Sequence, residues 1–399
     1  MASSKRASSM RLLLPSLPSE LIEEILYRTP AESLIRFKST CKKWYDLITN
    51  NKRFIYNHLN QSPERFIRID HTTQSVQIMD PVTIIQSDSP IPNEFQDGLY
   101  PILSMVHCDG LMLCLCRNKR NSYFRCVRTT CADLVIWNPV MRKIKWIEPS
   151  VYHWESDYFG IGYNNTCRDN YKILRFWGPL SNFQESGNKS GRPECEMYEF
   201  KSESWRTLDA KFDGEVDNDC KGVSVEGNMY WIATKEEGSF ILCFDFSMET
   251  FKNICVCPPY RKTRRLGCFN GDRLSLLQQD DKEETINEIE VWMTNKLSDD
   301  GAVSFTKYFN VNTPDLPALL YHTDFARPGY SIGKYRNIMS WCEGKVKNKD
   351  DTWCTCITFY DIDEGGIRKQ RETRFNGHDW MFICSYVYVP SLIPVVWCS

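Results

Sequence analysis

The sequence lacks the cysteine spacing that zinc-binding modules use. None of its 18 cysteines forms a Cys-x2-Cys pair, and structural zinc sites favour such pairs. Because strand side chains alternate between two faces, cysteines two positions apart in a strand share one face. Three such pairs lie in β-like runs: Cys114/Cys116, Cys255/Cys257 and Cys354/Cys356. We therefore predict reduced thiols in a hydrophobic core and no metal site.

Motifs of nucleotide-binding and hydrolytic enzymes are also missing. The sequence has no P-loop, no G-x-G-x-x-G, no H-E-x-x-H and no G-x-S-x-G. The six histidines are scattered, and His107 beside Cys108 is the one adjacent pair of histidine and cysteine. No catalytic residue and no cofactor is therefore predicted.

The net charge is also small, and the sequence has no long apolar run. The net charge is −2 and the isoelectric point is near 6.4, so no global field attracts nucleic acid or an anionic membrane. The apolar run at residues 12–14 is too short for a signal-peptide core or a membrane span. We expect a cytoplasmic and/or nuclear protein without a nucleic-acid or membrane partner.

What the sequence does contain is a change of pattern near residue 60. With 399 residues the chain exceeds the usual size of one domain. Helical periodicity precedes the change, and short β-like runs follow it. We predict a flexible N-terminus over residues 1–11, a helical module over residues 12–60 and a β domain over residues 61–399.

The helical module begins with an amphipathic pattern. Leu17, Leu21 and Ile25 recur every four residues, while Glu20 and Glu24 occupy another face. Further short helices are predicted from residue 31 to about 38, from about 41 to 48, and from 54 to 59. Such short helices carry more apolar residues than they can cover, so the surplus is expected to face another protein or the β domain.

This stretch resembles the F-box, whose pattern is approximately Leu-Pro-x-Glu-Leu, Ile-Leu-x-Arg-Leu-Pro, Ser-Leu-x-Arg-Phe and Cys-Lys-x-Trp. The matching segments are residues 17–21, 25–30, 33–37 and 41–44, in the same order. Thr29 stands where the family usually has leucine, and Thr40 stands where it has valine.

The resemblance implies that the module binds a Skp-type adaptor and, through it, the cullin and RING subunits of a ubiquitin ligase. An apolar helical surface suits burial against partner helices. For each residue the alternative is packing inside the module, and for Ile25 and Ile35 both roles are equally favoured. The residues implied as adaptor contacts or their supports are Leu17, Pro18, Leu21, Ile25, Leu26, Leu34, Ile35 and Trp44.

The β domain is predicted from short runs of β-branched and aromatic residues separated by turns rich in Gly, Asn, Asp and Pro. Hairpins are predicted over residues 134–147, 158–177, 196–208, 222–232 and 240–251. Paired strands recur about every 40 residues, as in propeller blades. We predict an all-β domain of propeller-like antiparallel sheets, with a β-sandwich as the alternative.

Several motifs of this region resemble the plant F-box-associated domain, which is kelch-related in type. The resemblance covers about residue 65 to the C-terminus and implies recruitment of a protein substrate whose identity differs between members. The motifs are Cys108-Asp109-Gly110-Leu111, Ile136-Trp137-Asn138-Pro139, and residues 159–163, 228–231, 384–387 and 390–392.

Three segments are predicted as loops: residues 117–128, 178–193 and 258–265. The first and third concentrate basic residues that could together attract an acidic partner surface, although such charge runs are usually solvated loops. The candidate substrate-binding residues are Arg117, Lys119, Arg120, Arg261, Arg264 and Arg265.

The predicted function is that of a non-catalytic substrate-recognition subunit of an SCF-type cullin–RING ubiquitin ligase. The helical module docks on the ligase, and the β domain holds a protein substrate beside the transfer machinery. The chain thus contributes by raising the effective concentration of the substrate. The alternative is a ligand- or glycan-binding β module outside the ligase, which exposed aromatics at one propeller end would favour. An enzyme on this scaffold would need a cluster of Cys, Tyr and His in the folded chain.

Overall fold

The computed structural model of the chain describes residues 17–70, 75–96, 102–117, 131–150, 153–154, 157–164, 167–177, 194–217, 221–259, 263–279, 288–298, 301–317, 319, 329–347, 353–375 and 384–395. In this part of the chain no helix is long and apolar enough to cross a membrane. The predicted flexible residues 1–11 lie outside the described residues.

Four helices come first: Ser19–Tyr27 (α1), Ala31–Phe37 (α2), Lys42–Asn50 (α3) and Lys52–Gln61 (α4). Prolines at the N-caps of α1 and α2, Pro18 and Pro30, fix the entry of the chain into each helix. The side chain of Asn51 caps α4 by accepting the N–H of Phe54 at 3.0 Å. The predicted helices are confirmed.

The strands and one further short helix follow in chain order. They are Arg65–Asp70 (β1), Ser75–Asp80 (β2), Ile85–Pro90 (β3), Asn93–Gln96 (α5), Ile102–Cys108 (β4), Leu111–Arg117 (β5), Cys131–Asn138 (β6), Lys143–Ile147 (β7), His153–Trp154 (β8), Tyr158–Asn164 (β9), Cys167–Phe176 (β10), Cys195–Glu199 (β11), Ser204–Thr207 (β12), Glu215–Val216 (β13), Val223–Val225 (β14), Asn228–Lys235 (β15), Gly238–Asp245 (β16), Thr250–Val256 (β17), Thr263–Phe269 (β18), Arg273–Gln279 (β19), Glu288–Thr294 (β20), Phe305–Asn312 (β21), Gly329–Gly333 (β22), Asn337–Lys347 (β23), Trp353–Asp363 (β24), Gly366–Phe375 (β25) and Cys384–Tyr388 (β26).

These strands form six antiparallel sheets, the blades of a six-bladed β-propeller. Blade 1 is β26-β1-β2-β3, blade 2 is β4 to β7 with β8 beside β6, and blade 3 is β9 to β12. Blade 4 is β13 to β17, blade 5 is β18 to β21, and blade 6 is β22 to β25. The innermost strands β26, β4, β9, β14, β18 and β22 contact one another in a ring. The propeller prediction is confirmed, and the β-sandwich alternative is wrong.

Ring closure depends on the last strand. β26 pairs with β1 in antiparallel register, with Phe66 opposite Val387 and Ile69 opposite Cys384. Blade 1 is therefore built from both ends of the β domain. The pairing of the first and last strands closes the ring and leaves neither of their paired edges open.

The propeller has two faces that differ in loop length. In most blades the first-to-second and third-to-fourth strand turns are short, and they lie on one face, which we call the short-turn face; residues 109–110, 226–227 and 364–365 are examples. The connection from β20 to β21 in blade 5 is longer. Connections on the opposite face, the long-loop face, include those from β5 to β6 and from β10 to β11. Because β1 is a second strand and starts at the short-turn face, the helices also lie there.

One hydrophobic core joins the helices to the propeller. Buried Leu26, Leu34 and Phe54 of the helices belong to the same cluster as Leu111 of blade 2 and Ile393. The helical module is thus packed on the β domain. This is one of the two expected locations for its surplus apolar residues, the other being the surface of a partner protein.

One of the three predicted cysteine pairs lies in a strand core as expected: Cys114 and Cys116 are fully buried in the core between blades 1 and 2. Cys255 is partly buried in β17, and buried Cys257 follows the end of that strand. Cys356 is buried, and the side chain of Cys354 lies outside the described residues. Among the described residues, no group of three or more His, Cys, Asp or Glu side chains could hold a metal ion.

Candidate functional site

An exposed apolar stripe runs along α1. Leu17, Leu21 and Ile25 leave 55%, 52% and 54% of their surface exposed. Leu21 and Ile25 lie four residues apart on one side of α1, and Leu17 precedes the helix at the same spacing. Buried Leu26 lies about 100° around the helix from Ile25. We call these three residues the α1 stripe; it faces away from the shared core.

The other sequence-predicted adaptor residues divide by burial. Pro18 is exposed beside the α1 stripe, while Ile35 and Trp44 are partly buried against the core. Leu26 and Leu34 are buried inside it. Direct contact with a rigid partner is therefore open to the stripe and Pro18, whereas Leu26 and Leu34 can act only as supports beneath it.

Two exposed aromatic residues of the helical module were not predicted as contacts. Phe37, at the end of α2, is 37% exposed, and Tyr45 of α3 is 47% exposed. The ring of Phe37 lies 5.5 Å from that of Trp44. The sequence could have indicated Phe37 as a contact, because it is the last residue of the Ser-Leu-x-Arg-Phe element of the F-box pattern.

A groove opens on the other side of α1, between α1 and α3. Its volume is about 660 Å³. Ile22, Trp44 and Leu47 supply apolar walls, and Glu23, Lys43, Asp46 and Lys52 supply charged ones. The helical module therefore offers two separate apolar surfaces, the stripe and the groove.

Three of the six predicted basic recognition residues are described, and all three lie in strands at one face. Arg117 ends β5, and Arg264 and Arg265 lie in β18, so the loop prediction is wrong for residue 117 and for residues 263–265. The end of β5 and the start of β18 both lie at the long-loop face. Lys119, Arg120 and Arg261 lie outside the described residues.

Arg264 is not an exposed recognition residue. It is buried, and its guanidinium forms an ion pair with Asp217 at 2.9 Å. This pairing joins the start of blade 5 to blade 4, which is a structural role. Arg265 is partly buried beside it, and its guanidinium donates to the carbonyl of Arg264 at 3.3 Å.

The adjacent His107 and Cys108 do not form a nucleophile and its base. Nε2 of His107 accepts the backbone N–H of Gly110 at 2.8 Å and that of Val389 at 3.1 Å. Burial lowers the pKa of His107 to about 4, although Asp109 opposes the shift, and burial raises the pKa of Cys108 well above its usual value. A neutral imidazole with an occupied Nε2 and a protonated thiol favour a structural role.

His107 should make stability depend on pH. Its folded-state pKa is depressed, so its contribution is present above the unfolded pKa near 6.5 and is lost as the pH falls toward 4. We expect a loss of about 1–2 kcal/mol between pH 7 and pH 5 from this residue. Unfolding free energies of wild type and His107→Gln, measured across that range, should differ in slope.

The comparison with His107→Gln is needed because burial also lowers the pKa of His58, which acts in the same direction. The slope that remains in the variant reports His58 and the carboxylates. Parallel stability curves for the two proteins would contradict the role assigned to His107.

Comparison with known families agrees with the two parts of the fold. Residues 14–56 match the F-box domain, and residues 62–395 match the F-box associated beta propeller domain. The chain belongs to this family of F-box proteins. The helices α1 to α3 and the first half of α4 therefore lie in its F-box, and β1 to β26 form its F-box-associated propeller.

Proteins from Arabidopsis thaliana are similar to this chain over nearly its whole length. "F-box protein At3g08750" is 62% identical over 98% of this chain and 100% of its own length. "F-box/WD-40 repeat-containing protein 1" is 40% identical over 95% of this chain and 89% of its own length. Both similarities therefore extend over the F-box and the propeller of this chain.

Proposed function

We propose that this F-box protein is a substrate-receptor subunit of an SCF-type cullin–RING ubiquitin ligase. Its F-box binds a Skp-type adaptor, and its propeller recruits a protein substrate. The observation that carries the proposal is the α1 stripe on an F-box, where three aliphatic side chains are about half exposed. Burial of this exposed aliphatic surface against a partner would be favourable, and a few residues supply most of the energy in protein interfaces.

The lengths of the connections on the two propeller faces support recruitment of a substrate at the long-loop face. The F-box occupies the short-turn face, and the connections of greatest length leave the opposite face. Long connections on a rigid scaffold are where binding residues are usually found. A substrate on the long-loop face would lie across the propeller from the adaptor, without competition between the two partners.

The proposal assigns no bond-making step to this chain. Burial raises the pKa of Cys195 and that of Cys243 to about 12, so both thiols stay protonated near neutral pH and are poor nucleophiles. Catalysis by proximity needs only that the substrate be held beside the transfer machinery. Ubiquitin transfer is then carried out by the partner subunits.

The ligand-binding alternative lacks support in the described part of the propeller. Tyr335, on the short-turn face of blade 6, is 81% exposed. No further aromatic residue of the described propeller shares that degree of exposure. A single exposed ring does not make the stacking platform that a glycan site requires.

The test is co-purification of a Skp-type adaptor with the full chain and with a Leu17→Ala/Pro18→Ala variant. The change at Leu17 removes half-exposed apolar surface, and the change at Pro18 removes the rigid entry of the chain into α1. We therefore expect adaptor recovery to fall at least about tenfold. Ile85→Ala, an exposed apolar change on blade 1, is the matched control.

The fate of the other bound proteins separates the two halves of the proposal. Proteins that remain bound to the Leu17/Pro18 variant after the adaptor is lost are candidate substrates of the propeller. Undiminished adaptor recovery with that variant would contradict the assignment of the α1 stripe.

A further inference from the structure

The chain continues past the ring-closing strand β26 onto the short-turn face. Residues 389–395, which we call the C-terminal segment, lie against two turns of blade 2. The side-chain amide of Asn138, which is fully buried, donates to the carbonyls of Ser391 at 3.2 Å and Ile393 at 2.8 Å. Its oxygen accepts the N–H of Met141 at 3.0 Å, so Asn138 ties the segment to its own turn.

The neighbouring turn holds the same segment from the other side. His107 accepts the N–H of Val389 at 3.1 Å. Gly110 has a φ of +83°, and a Cβ there would lie 2.3 Å from Oγ of Ser391. Only glycine fits both that backbone conformation and that approach.

The F-box packs on the opposite side of the C-terminal segment. Leu392, Ile393 and Val395 are buried in the core that also contains Leu34 and Ile48 of the F-box. The segment is therefore an apolar layer between blade 2 and the helices. Buried area of this type stabilises by about 25 cal/mol per Å², so the three side chains attach the F-box firmly.

A polar network beside this layer adds a directional contact. Asp169, in β10, pairs with Lys52 and accepts the hydroxyl of Tyr56, both on α4. The guanidinium of Arg168 stacks on the Tyr56 ring at 4.8 Å and forms two hydrogen bonds with Asp109, at 2.7 Å and 2.8 Å. An apolar layer can slide, whereas these contacts fix the rotation of α4 over blades 2 and 3.

We propose that the short-turn face of blades 2 and 3 is an intramolecular docking site which, through the C-terminal segment and Asp169, holds the F-box in one orientation relative to the long-loop face. Asp109, Gly110 and Asn138 are then positioning residues. The motifs Cys108-Asp109-Gly110-Leu111 and Ile136-Trp137-Asn138-Pro139 build the platform for the F-box, and do not contact substrate.

Ring closure and F-box docking are coupled in this arrangement. The C-terminal segment directly follows β26, which pairs with β1. An incompletely closed propeller would therefore lack this apolar contact with the F-box and keep only the polar contacts of Asp169 and Arg168. This inference concerns the free chain and does not depend on adaptor binding.

Single-molecule energy transfer in the full chain tests the docking. Unnatural residues that carry the two dyes are placed at two exposed positions, Lys42 in the F-box and Glu237 on the long-loop face. We expect wild type to give one narrow efficiency peak. Tyr56→Phe/Asp169→Asn, and separately Ile393→Ala, should broaden or split that peak while the circular dichroism spectrum of the propeller is retained.

The matched control is Glu203→Gln, which removes the exposed Lys145–Glu203 ion pair on the same face without touching the F-box. Its peak should stay narrow. An unchanged single peak in both docking variants would overturn the proposal, and so would equal broadening in the Glu203→Gln control.

Discussion

A Leu21→Glu/Ile25→Glu variant is expected to lose at least about 100-fold in affinity for a Skp-type adaptor. Both side chains are about half exposed in the free chain, so the substitution leaves the F-box core intact. In a complex, each new carboxylate would be desolvated against an apolar partner surface without a counter-charge, and burial of unpaired charge is costly. Calorimetric titration of full-length proteins measures the change directly.

The control for this prediction is Val256→Glu. Val256 is an exposed aliphatic residue at the end of β17, at the long-loop face, and 75% of its surface is accessible. The same change of chemistry there should leave adaptor affinity within about twofold. Equal affinity of the double variant and wild type would show that the adaptor binds elsewhere.

Gly162→Ala is expected to destabilise the propeller by about 3 kcal/mol or more. A Cβ at Gly162 would lie 2.1 Å from the carbonyl oxygen of Gly227 and 2.4 Å from the Phe246 ring. The nearest atom is backbone, and it already accepts the N–H of Tyr163 at 3.0 Å. Blades 3 and 4 would have to separate locally, which should lower the unfolding midpoint by roughly 5 °C or more.

Gly301→Ala is the matched substitution. Apart from its chain neighbours, no heavy atom of the described residues lies within 4 Å of a Cβ at Gly301, and its φ is not in the left-handed region. We expect its unfolding free energy to stay within about 0.5 kcal/mol of wild type. A Gly162→Ala protein as stable as the Gly301→Ala protein would contradict the close approach of the two blades.

Local patterns predicted the hairpins because each depends on a few neighbouring residues. The predicted pairing of residues 134–137 with 144–147 is observed, with Trp137 opposite Ile144. The same holds around the turn at Glu226 and Gly227, both of which have positive φ, where Val225 faces Asn228. Alternation of apolar residues and the turn chemistry are both short-range, so one sequence suffices to read them.

The number of blades and the closure of the ring could not be predicted in this way. β26 pairs with β1, although Tyr388 and Arg65 are more than three hundred positions apart. No local period indicates such a partner. Repeats in this chain are too degenerate to be counted, so the six sheets emerge only from the pairing of the strands.

The spacing of Leu17, Leu21 and Ile25 predicted an apolar stripe on α1, whereas its role as an adaptor surface was implied only by the resemblance to the F-box. Features that depend on tertiary contacts were missed. Burial of Leu34 depends on the packing of the F-box on the propeller, which the sequence does not encode locally. Arg264 lay in a basic run, but its acidic partner Asp217 comes from another blade.

The most direct test of the account is a calorimetric titration of the full-length chain with a purified Skp-type adaptor. We predict saturable binding of one adaptor per chain with a Kd below about 1 µM. Absence of binding at adaptor concentrations of about 50 µM would contradict the proposed ligase function.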